Sequence, residues 1–137
     1  MRRPVQPRVH HVGLVVANIE KALTQSLWTQ HGEAVVDPIQ QCRLCLATLA
    51  GSAQPYVELV EPLHEQAPTW ATLQRGGGWH HVCLAVASTE AGDALMRERR
   101  LLPVTPWQPA VLFGGRPVRF AYSRNRELLE FLAGEPT

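Results

Sequence analysis

The stretch His10-His11-Val12-Gly13-Leu14-Val15-Val16-Ala17-Asn18-Ile19-Glu20 decides the fold, because it occurs twice. Its second copy is His80-His81-Val82-Cys83-Leu84-Ala85-Val86-Ala87-Ser88-Thr89-Glu90, and seven of the eleven pairs are identical. Each copy reads as a strand running into a capped helix. Val9–Ala17 and His80–Ala87 carry the β-branched and apolar residues of strands. Asn18 or Ser88 then offers an N-cap oxygen, with Glu20 or Glu90 in the first turn. Two more correspondences follow in the same order. Cys42-Arg43-Leu44-Cys45-Leu46 matches Val118-Arg119-Phe120-Ala121-Tyr122 in pattern, and Val57-Glu58-Leu59-Val60 matches Leu129-Glu130-Phe131-Leu132. An ordered repeat of this kind points to a duplicated module.

The spacing predicts helices over 19–30 and 89–100, with Gly32 stopping the first and Pro103 the second. Three strands follow each helix, over 34–37, 42–49 and 55–61, then over 104–106, 117–123 and 127–132. Gly51-Ser52 and Arg124-Asn125 supply the turns between the last two strands. The modules span 8–63 and 78–133. The linker 64–77 holds a short helical stretch, Thr69–Gln74, and leads into Gly76-Gly77-Gly78. One module, about 55 residues, is marginal for a core of its own. The expectation is therefore one α+β domain over 1–137, with two tandem βαβββ modules forming a curled mixed sheet around a central cleft.

Composition sets the outer bounds. The chain has 137 residues, 13 Lys+Arg against 12 Asp+Glu, and a net charge of +1. No basic excess exists to neutralise phosphates, so nucleic acid is not an expected partner. Lys21 is the one lysine, which disfavours polybasic membrane binding. No apolar run approaches the ~20 residues that span a bilayer. Met1-Arg2-Arg3-Pro4 is not followed by the apolar stretch of a secretory signal, and the expected location is cytoplasmic. Cys42, Cys45 and Cys83 make an odd count, which argues against a disulfide framework. Cys42 and Cys45 fall three apart in a predicted strand, on opposite faces, and read as reduced strand thiols.

The repeat places polar residues where apolar ones are expected. Strand alternation puts Val12, Leu14 and Val16 on one face and His11, Gly13 and Val15 on the other. Glu58 lies opposite Val57 and Leu59, and Glu130 lies opposite Leu129 and Phe131. An ionised carboxylate in a central strand is costly unless paired or metal-bound. Two carboxylates in register with two repeated histidines suggest a ligand set of His11, Glu58, His81 and Glu130, suited to one divalent ion: Ni, Co, Zn, Mn or Fe. By the same alternation His10 and His80 point to the other face and read as structural. His31 and His64 fall in loops.

The paired His-His-Val strands, the module-closing Val57-Glu58-Leu59-Val60-Glu61-Pro62, the Gly76-Gly77-Gly78 before His80-His81 and the closing Leu129-Glu130-Phe131 together resemble the vicinal oxygen chelate superfamily. That group includes glyoxalase I, methylmalonyl-CoA epimerase, extradiol dioxygenases and drug-resistance proteins. The resemblance runs from His10 to Leu132 and implies two βαβββ modules curled around a metal held by His11, Glu58, His81 and Glu130. Gly114-Gly115-Arg116 with Val118-Arg119-Phe120 resembles the epimerase loop, while Glu58 is similar to the residue that glyoxalase I enzymes often carry. A fourth ligand weighs against O₂ chemistry, which uses two His and one Glu.

This branch implies proton abstraction next to a carbonyl through a metal-stabilised enediolate. Glu130 and Glu58 are then the candidate catalytic carboxylates, and the substrate is a small acyl or carbonyl compound, a CoA or carrier thioester among them. The position of the epimerases' second glutamate falls on Arg43, and an arginine is no base at neutral pH. Arg43 and its repeat partner Arg119 instead suggest a grip on a substrate carboxylate or phosphate, with Gly114, Gly115 and Arg116 beside them at the cleft mouth. Trp79 and Trp107 line either an acyl pocket or the core. Two further readings stand beside an isomerase or epimerase: a lactoylglutathione lyase of the glyoxalase I kind, and a small-molecule-binding or resistance protein without catalysis. A homodimer is the family expectation.

Overall fold

Two mirrored halves make one nine-stranded mixed sheet that does not close. The computed structural model describes residues 7–49, 52 and 55–134. The first half holds β1 (Arg8–Val15), α1 (Ile19–Thr24), β2 (Trp28–Asp37), β3 (Cys42–Leu49) and β4 (Tyr56–Pro62). A short helix, α2 (Trp70–Gln74), leads to β5 (Gly78–Val86), α3 (Thr89–Glu98), β6 (Leu102–Pro103) and β7 (Gln108–Ala110). A 3₁₀ turn (Val111–Phe113), β8 (Arg116–Tyr122) and β9 (Leu128–Ala133) complete the fold. The strand order is β2-β3-β4-β1-β5-β9-β8-β6, with β7 on β8. β1 runs parallel to β4, β5 runs parallel to β9, and the antiparallel β1–β5 pair joins the halves.

Strand alternation gives the sheet two unlike faces. On one, Ile19 of α1 packs with Cys45, Ala47, Val57 and Leu59, and Met96 of α3 packs with Val86, Ala121 and Phe131. Asn18 Oδ1 accepts the Lys21 amide and Ser88 Oγ accepts the Ala91 amide, so both helices start on side-chain caps. On the other face, Val15, Cys42, Leu44 and Val60 form one small cluster, and Cys83, Ala110, Val118 and Leu132 form its counterpart. Cys42 and Cys45 thus lie on opposite faces, and all three cysteines are free. Among the described residues, no helix is long and apolar enough to cross a membrane.

The local elements differ from the sequence expectations in three places. α1 ends at Thr24 rather than at residue 30. Thr24 and Ser26 are weaker helix formers, and Trp28 packs against the Ile19 cluster from the start of β2. Gly32 is consequently not a helix stop. It sits inside β2 at φ +81, where the pairing with β3 shifts between His31 and Val35. The expected strand at 104–106 is replaced by β6 and β7 on either side. Pro106 carries no donor, and Thr105 Oγ1 accepts the Phe120 amide in place of a ladder bond. The Gly51-Ser52 turn lies partly outside the described residues.

Candidate metal centre

The four central strands, β4, β1, β5 and β9, each bring one polar side chain to the face opposite the helices. Register places Glu58, Gly13 and His81 in one row and His11, Cys83 and Glu130 in the next. The middle member of each row is small, which leaves space for the imidazoles. A Cβ on Gly13 would stand 2.1 Å from His81 Cε1, so the His81 ring occupies the volume that a side chain there would need.

One ligand atom from each of His11, Glu58, His81 and Glu130 lies within 4.8 Å of the others. All four residues are buried, His11 completely. His11 Nε2 lies 3.0 Å from Glu130 Oε1 and 3.5 Å from Glu58 Oε2. His81 Nε2 lies 3.2 Å from Glu130 Oε1 and 3.4 Å from Glu58 Oε1. Both Nε2 atoms therefore point at both carboxylates. Burial opposes protonation of His81, but hydrogen bonds with Glu130 and Glu58 outweigh it and push the imidazole up to about 10. Burial likewise works to raise Glu130, and the His11 and His81 hydrogen bonds overcome it and hold the carboxyl far below its ordinary value.

The donor set passes a charge test for a divalent ion. Two ionised carboxylates buried together need compensation, and the groups in ion-pair contact with them are the two histidines. Imidazole and carboxylate are both ordinary ligands of first-row divalent metals. Neutral imidazoles with a doubly charged ion would balance the pair of carboxylates.

Glu58, His81 and Glu130 line a partly open cavity to which both halves of the chain contribute. Phe113 stacks on His11 at 5.5 Å between ring centroids, and Phe120 meets the His81 ring edge-on at 5.6 Å. Asp37, Thr69 and His80 also line the cavity. Sequence reasoning passed over Asp37 and Thr69 and placed His80 on the other face. Thr69 falls in the linker, and its hydroxyl is buried without a hydrogen-bond partner among the described residues. Asp37 Oδ1 accepts the Ile39 and Gln40 amides, which holds the chain as it leaves β2.

His10 and His80 depart from simple alternation. Each is the extra residue of a bulge: β1 and β5 lose register between Val9 and His11, and again between Gly13 and Leu14, opposite His80. A bulge turns neighbouring side chains toward the same side. His10 Nδ1 thereby lies 2.9 Å from His11 Nδ1, and His80 Nδ1 lies 2.9 Å from His81 Nδ1. Burial, reinforced by the neighbouring histidine, pushes both outer imidazoles down to about 4.

The remaining expected binding residues are placed elsewhere. Arg43 lies on the helix face of β3, 2.6 Å from Glu20 of α1 and 3.8 Å from Glu61. Arg119 mirrors it on β8, 2.8 Å from Asp93 of α3, and its Nε donates to the Thr105 carbonyl. Both arginines tie helix to sheet rather than flanking the cluster, because they alternate with the cavity-facing residues Leu44 and Phe120. Arg116 donates to the Ala133 and Gly134 carbonyls. Gly114 and Gly115 take positive φ after the 3₁₀ turn and line a shallow neighbouring depression with Pro38 and Ile39. Trp107 packs in the α3 core and donates to Asp93, while Trp79 is exposed and stands edge-on to Trp28.

No curated protein matches the sequence. Solved structures do match in fold. A hypothetical protein from Bacillus halodurans C-125 is 26% identical with a TM-score of 0.78, over 96% of this chain and 97% of that one. A methylmalonyl-CoA epimerase from Mycobacterium tuberculosis is 21% identical with a TM-score of 0.79, over 93% and 88%. A Streptomyces coelicolor methylmalonyl-CoA epimerase in complex with 2-nitronate-propionyl-CoA is 18% identical with a TM-score of 0.74, over 93% and 96%. At the level of family, residues 10–120 match the model that takes in His11, Glu58 and His81 and stops short of Glu130. With this match spanning both halves of the duplicated sheet, the chain belongs to the glyoxalase/bleomycin resistance protein/dioxygenase superfamily.

Proposed function

We propose that this chain is a divalent-metal-dependent isomerase, epimerase or lyase that removes a proton beside the carbonyl of a small acyl substrate. The observation that carries this is the convergence of two buried glutamates on two buried imidazoles, with Glu58, His81 and Glu130 open to a cavity. His11, Glu58, His81 and Glu130 would hold the ion, of Ni, Co, Zn, Mn or Fe type. Once bound, it would polarise a substrate carbonyl and stabilise the charge that develops as the proton leaves. Glu130 would meet the ion as a carboxylate, the form that a base requires. Glu58 faces the same point from the other half and is the second candidate to take or return the proton. Phe113 and Phe120 cover the two imidazoles and limit water at the reacting centre. The fold likeness to methylmalonyl-CoA epimerases supports an acyl-thioester substrate.

Glu58 favours one second reading, a glyoxalase I-like lyase acting on a thiol–oxoaldehyde adduct, because it supplies a fourth protein ligand. One experiment separates the two. Metal content of the purified protein is measured beside His11→Ala and Glu130→Ala, and exchange from D₂O into the α-carbon is followed for methylmalonyl-CoA and for the glutathione–methylglyoxal adduct. Stoichiometric metal in the wild type, with metal loss in His11→Ala, is the expected result. Exchange in the thioester alone supports the first reading, and turnover of the adduct alone supports the second. A protein that binds metal but exchanges neither is a binding protein. A wild type without metal ends the proposal. The edge strands β2 and β6 expose Val36 and Leu102, which supports a homodimer, and sedimentation measures that directly.

A further inference from the structure

We propose that His10 and His80 are positioning residues that set the tautomers of His11 and His81 for metal binding. The inference rests on the metal reading above. An imidazole can ligate an ion through Nε2 only if that nitrogen carries its lone pair, so Nδ1 must then carry the proton. That Nδ1–H needs an acceptor, and ligating histidines generally have one in a carboxylate, carbonyl or water. Here the partner is a second imidazole. His11 Nε2 and His81 Nε2 point into the carboxylate cluster, while each Nδ1 faces the Nδ1 of the preceding histidine at 2.9 Å.

The geometry is the same in both halves. The ring centroids are 5.2 Å apart at 81° for His10 and His11, and 5.1 Å apart at 88° for His80 and His81. Each outer histidine is delivered by a bulge, without which alternation would send it to the helix face. A bulge disrupts the ladder, so a device placed at the start of both β1 and β5 needs a local reason, and the Nδ1–Nδ1 contact supplies it. Tyr56 and Phe113 pack on the His10 ring at 5.4 and 5.1 Å and hold it in place.

An imidazole differs from a carboxylate as a partner. It is neutral, and it can either donate or accept at Nδ1 depending on its own tautomer. Without an ion, a His11 Nε2–H can donate to Glu130 while its Nδ1 accepts from a His10 Nδ1–H, since both contacts are of hydrogen-bond length. With an ion bound, the His10–His11 contact is kept and its donor and acceptor exchange roles. A carboxylate in the place of His10 could serve only the second arrangement.

Zinc is the test ion, because it is diamagnetic and redox-inert. Full-length protein with ¹⁵N-labelled histidine is titrated with Zn²⁺, and long-range proton–nitrogen correlations assign each ring. In the zinc form, His11 and His81 should carry the proton on Nδ1, and His10 and His80 on Nε2. His10→Leu and His80→Leu should each weaken zinc binding by about 10–100-fold. His10→Asn and His80→Asn place an oxygen where Nδ1 stood and should recover most of that loss. Leu variants that bind zinc like the wild type, or outer histidines protonated at Nδ1 in the zinc form, overturn this inference and leave the metal reading intact. A wild type that takes up no zinc overturns both. If the Leu variants do not fold, the wild-type spectra alone decide.

Discussion

The two halves of the sheet are mirror copies in topology but not in chemistry. Both place a histidine on the opening strand and a glutamate on the closing strand, and both open on a bulged histidine pair. They differ at the residue two positions beyond the inner histidine. In the first half it is Gly13, whose missing Cβ is the space that the His81 ring fills; in the second it is the buried Cys83. The lesson is that one half makes room for a side chain that the other contributes to the cluster. Neither half holds all four residues of the cluster, which forms because the antiparallel β1–β5 pair sets the two rows side by side. The same contrast appears on the helix face. Arg43 pairs with Glu20 and approaches Glu61, whereas Arg119 pairs with Asp93 and a backbone carbonyl.

The largest expected break in this symmetry is between the two carboxylates. Glu130→Ala should lower turnover about 10²–10⁴-fold, the range of a lost general base. Steady-state kinetics of Glu58→Ala, compared at saturating metal, then shows which half supplies the base, and an equal or larger loss in Glu58→Ala would move that role to the first half.

The inner and outer histidines should separate with pH in the metal-free protein. His81 is raised to about 10, so its contribution is full below 6.5 and is lost as pH climbs through 10. His10 and His80 are lowered to about 4, so their contribution is full above 6.5 and is lost as pH falls through 4. Denaturant unfolding should therefore show a stability maximum near pH 6.5. Zinc, which needs the bare His81 Nε2, should remove the alkaline fall. A metal-free stability that is flat from pH 6.5 to 10 would contradict the His81 contacts.

Gly13→Ala should cost about 1–3 kcal/mol as an overpacked site, and it should weaken metal binding because the His81 ring must move. Cys83→Ala, its counterpart, should cost less and leave metal binding in place. Thermal unfolding with and without zinc compares them. If the two alanines behave alike, the row geometry is wrong.

The smallest effect lies on the helix face. Arg119→Ala removes a partly exposed ion pair and should cost about 1 kcal/mol, with metal binding and KM unchanged. Arg43→Ala should also leave KM unchanged. A large rise in KM for either would return the arginines to substrate binding.

Much of this was legible in the chain. The repeat itself marked the doubled module, because seven identities in eleven residues survive in a strand and its helix cap. Glu58 and Glu130 stood out because a carboxylate interrupts each apolar closing strand. What stayed hidden depended on pairing partners far along the chain. Period-two alternation sent His10 and His80 to the helix face, since a bulge is a property of two strands and not of one. The arginines looked like site residues because the repeat conserves them, but a repeat preserves structural ion pairs as faithfully as ligands.

By itself, the sequence determined the two modules, the identity of the four polar residues at their centres and the caps that start the helices, because these follow from local composition and periodicity. Only the tertiary structure decided that Gly13 yields its space to His81, that Thr69 and Asp37 reach the cavity wall, and that each outer histidine turns back onto its inner neighbour. Those outcomes come from cross-strand register and steric contact between residues as far apart in the chain as Gly13 and His81, which no single stretch of chain encodes.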